Sequence, residues 1–406
     1  MLLKLAWLNI WRNKRRTIIT ATSVFFAVLL AITFKSLTDG IYDNMIHNVV
    51  SYSTGYLQIQ QTGYWDEQSI DNTFEEDENL YQELLKNPNV ENIIPRLQSF
   101  ALASYTDKTK GVLVLGIDPD KEKAVNNLHE KITSGEFIEN PNENAVVLGE
   151  GLASKLKLGV NDTLVLLGQG YHASSAAAKY RVKGLVKLGA IDLNNSVVYI
   201  PLRQAQYMYG AEDRLSSVSI MPNKTTDLQG MKRSIQETID PEKYEVMTWK
   251  EMLSELDQFI EADKTGHFII IAVLYIIISF GLFGTLLMML FERKHELGIL
   301  IAIGMKKHLL AIILLLESLM ISLIGCFAGI IGGILVVKWF TIYPIRLTGE
   351  IEQVYEDYGI ESILYFSSEE KIFIVQTLIV MVLSILLAFY PGYKVMRLKP
   401  VEAINS

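Results

Sequence analysis

Four long apolar stretches dominate the pattern of hydrophobic and polar positions along the chain. They cover residues 17–34, 267–291, 309–337 and 372–393, and the second and fourth contain no Asp, Glu, Lys or Arg. A hydrocarbon core is crossed by about 20 apolar residues of α-helix, at a rise of about 1.5 Å per residue. The pattern therefore predicts four transmembrane helices, the first of which we interpret as an uncleaved signal anchor.

More than two hundred residues separate the first two apolar stretches, and their pattern is mixed. Short β-branched and alternating runs predict strands at 57–60, 112–115, 145–148, 163–167, 197–200 and 218–220. Residues 121–132, 152–158, 202–209 and 228–239 have helical patterns. The predicted fold is an α-helical membrane protein with four transmembrane helices and a large α+β extracytoplasmic domain between helices 1 and 2, or two subdomains sharing that insertion.

Apolar stripes continue at both ends of this insertion. Beyond the first span, Phe34, Leu37, Ile41, Met45 and Val49 recur at spacings of three and four, which is typical of an amphipathic helix. A second stripe precedes span two and consists of Trp249, Met252, Leu253, Leu256, Phe259 and Ile260. Such stripes fit ordinary linking helices, or two stalks that form a rigid lever between the bilayer and the outer domain.

The distribution of charged residues predicts how the spans are oriented in the membrane. Residues 1–16, 292–307 and 394–406 hold twelve basic residues and three acids, although the whole chain has a net charge of −8. The positive-inside rule places these three segments, and so both termini, in the cytoplasm. The domain plan is then cytoplasmic 1–16, helix and stalk 17–51, outer domain 52–247, stalk and helix 248–291, cytoplasmic segment 292–307, helix 308–337, outer loop 338–371, helix 372–393 and cytoplasmic tail 394–406.

Composition and motifs argue against several classes of function. An acidic chain that is half apolar is neither disordered nor a nucleic-acid-binding protein. The six histidines are scattered, one cysteine cannot form an internal disulfide, and Gly-Lys occurs nowhere, so we predict no catalytic residue, no metal site and no P-loop. Any ATP, with its Mg²⁺, is expected on another chain.

Span three carries two unusual features. Glu317 is its one acid, for which a helix-packing hydrogen bond, an anchor at the cytoplasmic interface and a proton-coupling carboxylate are the alternatives. Gly325, Gly329 and Gly333 recur every four residues, and small residues at this spacing let helix backbones approach closely in lipid. We predict that these glycines pack helices, with a substrate path as the alternative.

The segment between spans two and three has the most specific pattern. Charges at Glu292, Arg293, Lys294 and Glu296 precede apolar residues at helical spacing, and Gly304 is placed to end a short helix. Such a helix either lies among lipid headgroups or binds a groove of a partner.

Several motifs together resemble one family. Residues 292–305 (ERKHELGILIAIGM) resemble the ER-x-x-E-[IL]-G-[IL]-L-x-A-[IL]-G signature of FtsX/MacB/Lol-type ABC transporter permeases, the type VII superfamily. Residues 390–404 resemble its closing P-[VA]-E-A-[IL] pattern, residues 6–16 its approach to span one, and residues 146–163 part of its outer domain. The layout is most similar to that of lipoprotein-releasing permeases. This similarity rests on residues 184–187, 198–206 and 364–366.

The resemblance implies a permease that dimerises with a second copy or a related permease and works with separate ABC ATPase subunits. Movement of the permease, rather than passage through a channel, would act on lipoprotein or other amphiphilic cargo in the bacterial inner membrane. A periplasmic carrier or adaptor would be a further partner, besides membrane lipid. Macrolide or peptide efflux and regulation of an extracellular hydrolase are the alternatives. The implied ATPase-coupling residues are Glu292, Arg293, Lys294, Glu296, Leu297, Gly298, Leu300, Ala302, Ile303 and Gly304, and the implied cargo cavity is lined by Phe34, Leu37, Ile41, Phe259 and Ile260.

Overall fold

The computed structural model describes residues 2–12, 14–222, 227–352 and 362–399. Its elements as far as the last strand of the insertion are α1 Leu2–Arg12, α2 Lys14–Val50, β1 Leu57–Gln61, α3 Tyr64–Glu67, β2 Phe74–Glu75, α4 Glu78–Leu85, β3 Val90–Tyr105, β4 Lys108–Ile117, α5 Pro119–Asn126, β5 Ile132–Gly135, β6 Ala145–Gly149, α6 Glu150–Leu156, β7 Thr163–Gln169, β8 Ser175–Val186, α7 Ile191–Asn194, β9 Val197–Pro201, α8 Leu202–Tyr209, β10 Arg214–Leu215, β11 Ser217–Pro222, α9 Leu228–Gln236 and β12 Tyr244–Thr248. The remaining elements are α10 Trp249–Met252, α11 Ser254–Glu292, α12 Lys294–Ala302, α13 Lys307–Ile342, β13 Ile345–Arg346, β14 Ile363–Leu364 and α14 Glu370–Met396.

Two compact units divide the chain. One comprises Met1–Asp43, Ile260–Leu347 and Ile363–Ser406, and the other comprises Asn44–Phe259 and Thr348–Ser362. In the described residues, α2, α11, α13 and α14 are the helices long and apolar enough to cross a membrane. Together with the mixed α and β content of the second unit, they confirm the predicted fold class.

Helix α13 packs closely on α2 because three glycines face it. A Cβ added at Gly325 would lie 2.6 Å from the Cβ of Val24, and one at Gly329 would lie 2.7 Å from the Cβ of Val28. Gly333 lies against Ile32 in the same way, at 3.0 Å. Since real side chains do not approach this closely, the missing side chains are what lets the two backbones come together.

A second close approach on α2 involves the segment that precedes α14. The backbone N–H of Ser367 donates to the carbonyl of Ser36 at 2.9 Å, and the Ser36 hydroxyl donates to the carbonyl of Ser367 at 2.6 Å. A Cβ at Gly40 would lie only 2.3 Å from the carbonyl oxygen of Tyr365. The segment therefore crosses α2 where the helix has no side chain.

The second unit is built on a sheet of ten described strands, in the order β12-β1-β11-β3-β4-β9-β6-β8-β5, with β7 bonded to both β3 and β8. This double pairing of β7 closes a ring of six strands, β3-β4-β9-β6-β8-β7. Alternate side chains of all six strands meet in one buried cluster, which includes Leu97, Val114, Val146, Leu164, Val182 and Val198. Because side chains alternate between the faces of a strand, this cluster is the interior of the ring.

A smaller layer lies beyond the ring. Here β1, β11, β12 and the first half of β3 bury one face against α4 and α9, through Leu57, Val218 and Val246 from the strands and Leu84 and Ile235 from the helices. Strand β3 is shared, because it pairs with β11 up to Arg96 and with β4 from Arg96 onward. The insertion thus consists of two subdomains on one continuous sheet. It combines the two alternatives that the sequence left open, which were a single α+β domain and two subdomains.

Some local predictions were wrong. The helix expected at 121–132 ends at Asn126, because Asn127 has a positive φ of 49°, and Ile132 begins strand β5. The strands missed were β2, β3, β5, β8, β10 and β12 of the insertion, and β13 and β14 after it. The closing motif at 400–404 and part of the outer loop, residues 353–361, lie outside the described residues.

Helix α10 begins with a capping box. Glu251 accepts the backbone N–H of Thr248 at 2.8 Å and the Thr248 hydroxyl at 3.0 Å, and Lys232 from α9 donates to both of its carboxylate oxygens. Burial raises the pKa of Glu251, but these hydrogen bonds outweigh it and hold that pKa below its ordinary value. The charged carboxylate therefore joins α9 to the start of α10.

Candidate functional site

The short helix predicted in the 292–305 segment is α12, and its end has the expected geometry. Gly304 has a positive φ of 105°, and the N–H groups of Gly304 and Met305 donate back to the carbonyls of Ile301 and Leu300, both at 3.0 Å. This reverse pair of bonds is how a helix ends on a left-handed glycine. The chain can then turn directly into α13.

Glu317 lies in a buried ion-pair cluster at the start of α13. Its side chain is 1% exposed and accepts from the Arg293 guanidinium and from Nδ2 of Asn9, the latter at 2.6 Å. Arg293 precedes α12 directly and its side chain is 7% exposed. A buried charge is tolerated when it is paired and hydrogen-bonded, and here each charge neutralises the other.

The same cluster extends to the surface. Nε of Arg293 lies 3.6 Å from Oε2 of Glu296, and that carboxylate oxygen also accepts from Arg12 at 2.6 Å. Arg12 and Glu296 are both more than half exposed. We call Asn9, Arg12, Arg293, Glu296 and Glu317 the Glu317 cluster; it joins α1, α12 and α13 through charge.

Apolar packing also holds α12 in place beside the Glu317 cluster. Leu297 of α12 is buried in a cluster with Leu290, Leu310, Leu314 and Val395, which come from α11, α13 and α14. A cavity of about 230 Å³ lies beside it, between α1, α12 and α13, and is lined by members of the Glu317 cluster and by Leu300 and Met305. Helix α12 is therefore seated on three membrane helices at once.

Several apolar side chains on the remaining surface of this segment are exposed. Ile303 is 79% exposed, and Ile299 and Leu300 are about 40% exposed. Lys294, Ala302 and Gly304 belong to the exposed or half-buried remainder of the segment, whereas Gly298 is buried. The exposed side chains of Ile299, Leu300 and Ile303 form an apolar ridge, and such side chains gain free energy when they are covered.

A second buried arginine was not anticipated from the sequence. Arg96 of β3 pairs with Glu122 of α5, with Nη2 2.7 Å from the carboxylate, and both side chains are at most 2% exposed. Its guanidinium also donates to the carbonyls of Ser51 and Ser53, just past the end of α2. The last carbonyls of a helix lack partners within it and carry the negative end of its dipole, so a cation there is stabilising.

Further hydrogen bonds hold the same helix end. The buried hydroxyl of Tyr199 donates to the carbonyl of Tyr52 at 3.1 Å, and that of Ser219 donates to the carbonyl of Thr54 at 2.9 Å. Burial raises the pKa of Tyr199, so its hydroxyl keeps its proton, and remains a donor, well above neutral pH. We call Arg96 and Glu122, with the carbonyls that Arg96 binds, the Arg96 cluster; it joins the C-terminal end of α2 to β3 and α5.

The residues predicted to line a cargo cavity have different environments. Ile260 is 1% exposed, whereas Phe259 is 51% exposed. Phe34, Leu37 and Ile41 are half-buried along α2, and Leu37 packs against the buried cluster that includes Val28 and Ile32. Their role toward cargo stays a prediction.

These features define a multi-pass membrane protein with four spanning helices, a large sheet domain inserted after the first, and a charged turn with a short helix after the second. Residues 17–238 match the MacB-like periplasmic core domain, and residues 268–400 match the FtsX-like permease C-terminal domain. The first match alone covers more than half of the chain. The chain belongs to the MacB/FtsX-type ABC transporter permeases, which are multi-pass proteins of the bacterial inner membrane.

Curated relatives agree with this family. The chain is 24% identical over 276 residues to "Lipoprotein-releasing system transmembrane protein LolC" of Neisseria meningitidis, a match that covers 66% of each chain. It is 22% identical to "Lipoprotein-releasing system transmembrane protein LolE" of Haemophilus influenzae, over 81% of this chain and 80% of that protein. It is 21% identical to "Macrolide export ATP-binding/permease protein MacB 2" of Aeromonas hydrophila, over 97% of this chain but 58% of that protein.

Proposed function

We propose that this chain is the permease subunit of a mechanotransmission-type ABC transporter that extracts lipoproteins from the inner membrane. ATP and Mg²⁺ would be bound by separate ATPase subunits, and a second permease would complete the assembly. Both termini and α12 would face the cytoplasm, as the distribution of basic residues indicates. The outer domain would close and open on cargo as the membrane helices move.

The exposed apolar face of α12 carries this proposal. Its base is fixed to four other helices, α1, α11, α13 and α14, by the Glu317 cluster and by Leu297, while Ile299, Leu300 and Ile303 remain exposed. A force applied to this ridge would be passed to α1 and α13 through Arg293 and Glu317 rather than absorbed by a flexible loop. This is what a coupling helix that receives motion from an ATPase requires.

The names of two relatives support lipoprotein as the cargo, since both are lipoprotein-releasing proteins. Cargo contact is assigned to the stalk residues Phe34, Leu37, Ile41, Phe259 and Ile260, because an acyl chain leaving the bilayer needs an apolar surface beyond the headgroups. Export of a drug or peptide is the second candidate, favoured by the match to a macrolide export protein along nearly the whole chain.

A single substitution tests the docking role. Ile303→Glu places a charge on the ridge, where docking would have to desolvate it. Burying an isoleucine contributes about 1.5–3 kcal/mol, so we expect at least a tenfold loss of co-purified ATPase from native membranes, since about 1.4 kcal/mol is tenfold in affinity. Cargo-stimulated ATP hydrolysis should fall with it.

Leu3→Glu is the matched control, because Leu3 is an apolar residue of α1 that is 60% exposed and does not line the cavity beside α12. It should leave ATPase retention unchanged. Equal retention of ATPase by Ile303→Glu and the native chain would contradict the docking role. Identification of lipid-modified proteins in the same preparation, rather than drugs or an outer-membrane adaptor, would favour lipoprotein release over export.

A further inference from the structure

A separate cavity lies between the first turns of α2 and the last turns of α11. Its volume is about 400 Å³, and it is lined by Arg15, Arg16, Ile19, Thr20, Thr285, Met288, Met289 and Glu292. None of the Glu317 cluster lines it. The positive-inside rule places this end of both helices at the cytoplasmic leaflet, at the level of lipid headgroups.

Arg16 is the unusual member of this lining. The residue is only 7% exposed, yet its Nε and Nη1 atoms have no hydrogen-bond partner within the described part of the chain. The charge of Arg16 is near those of Glu292, Glu296 and Glu317, but two of its donor atoms are buried and unsatisfied, which is costly. The guanidinium is a planar fork suited to two oxygens of one phosphate. The cavity beside it is large enough to hold such a group.

The other walls restrict which phosphate fits. Ile19 and Met288 are apolar and, at 42% and 51% exposed, continue from the cavity onto the outer surface of their helices, where acyl chains would lie. Glu292, at the other side of the lining, is exposed and forms no ion pair among the described residues. The cavity thus offers a cation, an anion and an apolar exit toward lipid.

We infer that this cavity binds a phospholipid of the cytoplasmic leaflet, with the phosphate on Arg16 and Arg15 and an ammonium headgroup on Glu292. Phosphatidylethanolamine has this charge pattern, because its phosphodiester is followed by a primary ammonium that can donate to a carboxylate. Phosphatidylglycerol offers the phosphate but no cation. The bound lipid would supply the partners that Arg16 lacks and would join α2 to α11. This inference is independent of the proposed cargo and of ATPase docking.

Native mass spectrometry of the full chain in mild detergent tests the site, with phosphatidylethanolamine, phosphatidylglycerol and phosphatidylcholine of matched acyl chains, and inorganic phosphate, as probes. We expect one phosphatidylethanolamine per chain, bound in preference to the other lipids. Arg16→Met should lower its retention at least tenfold, and should change the melting temperature of the delipidated chain little, because Nε and Nη1 of Arg16 make no hydrogen bond that would be lost. Glu292→Gln should abolish the preference for phosphatidylethanolamine over phosphatidylglycerol.

Lys14→Met is the matched control, since Lys14 is an exposed cation of the same helix turn that does not line the cavity. It should retain lipid as the native chain does. Should Arg16→Met fail to fold, Ile19→Trp fills the cavity while keeping both charges and should displace the lipid equally. Unchanged retention in the cavity variants, or displacement of lipid by inorganic phosphate alone, would overturn the inference.

Discussion

The Arg96 cluster and the Glu317 cluster use the same chemistry, a buried arginine paired with a buried glutamate, in two different settings. Arg96 is completely enclosed, and its remaining donors bind backbone carbonyls beyond the end of α2. Arg293 is also buried, but its second carboxylate partner, Glu296, is half exposed and reaches Arg12 at the surface. One cluster is closed and the other opens on the exposed ridge of α12.

This difference indicates different tasks. Every group of the Arg96 cluster is satisfied within the outer domain, so the cluster fixes a helix end to a sheet and has nothing left to offer a partner. The Glu317 cluster connects three helices to a surface that remains uncovered. We interpret the first as a rigid attachment and the second as a connection through which a partner can act.

Breaking the closed cluster should have the largest effect. Arg96→Ala leaves Glu122 charged and buried, and removing one partner of a buried pair costs about 3–5 kcal/mol. We expect a loss of that size in the free energy of unfolding of the full chain in detergent, measured by denaturant titration. Arg203→Ala, which removes an exposed arginine of α8, should change it by about 0.5 kcal/mol or less. Similar values for the two variants would show that the Arg96 cluster does not anchor the helix.

Breaking the Glu317 cluster should lower the free energy of unfolding less than breaking the Arg96 cluster. Glu317→Gln can still accept from Asn9 but no longer neutralises Arg293, and a hydrogen bond to a charged group contributes about 1.5–3 kcal/mol. We expect a loss in that range by the same titration, and weaker cargo stimulation of ATP hydrolysis at unchanged ATPase retention. Loss of ATPase retention equal to that of Ile303→Glu would mean that the cluster shapes the docking surface instead of transmitting motion from it.

The packing of α13 on α2 can be tested with glycine. Gly329→Ala places a Cβ 2.7 Å from that of Val28, and overpacking of this kind costs about 1–3 kcal/mol. Gly281→Ala in α11 is the control, since a Cβ there meets nothing within 4 Å. Thermal melts should show a lower midpoint for Gly329→Ala only. A lower midpoint for both variants would indicate an effect of the helix backbone rather than of packing.

The exposed carboxylate of Glu251 should have the smallest effect on the free energy of unfolding. It sets the lower limit for the comparison with the two buried clusters. The pKa of Glu251 is lowered, so its stabilisation is present above its ordinary pKa of 4.5 and is lost as the pH falls through the lower folded value. Because Glu251 is 38% exposed, we expect less than about 1 kcal/mol. The stability difference between the native chain and Glu251→Gln should shrink below pH 4.5; a constant difference would show that charge is not its source.

The sequence was most informative where the bilayer restricts it. A long apolar helix satisfies its own backbone groups in lipid, so four apolar runs sufficed to find the spans, and Glu317 stood out because acids are rare in such runs. Gly304 was identified because few other residues end a helix in the left-handed conformation.

The outer domain was harder to predict because its determinants are non-local. Strand β3 contains Pro95, which normally argues against a central strand; here it falls just before Arg96, where pairing with β4 begins. The alanines of β8, at 176–178, have weak strand propensity and are held in the sheet by pairing with β7. Arg96 has partners 26 and about 45 residues away, a relation that no local pattern contains.

The crossing at Gly40 has a consequence for axial movement of α2. Gly40 is the single glycine between residues 14 and 50, so every other turn of this helix presents a Cβ to the segment that crosses it. Sliding the helix by one turn, about 5.4 Å, would drive a side chain into the backbone of Tyr365. Any lengthwise displacement of α2 must therefore drag the start of α14 along, so that the first and last membrane helices travel together.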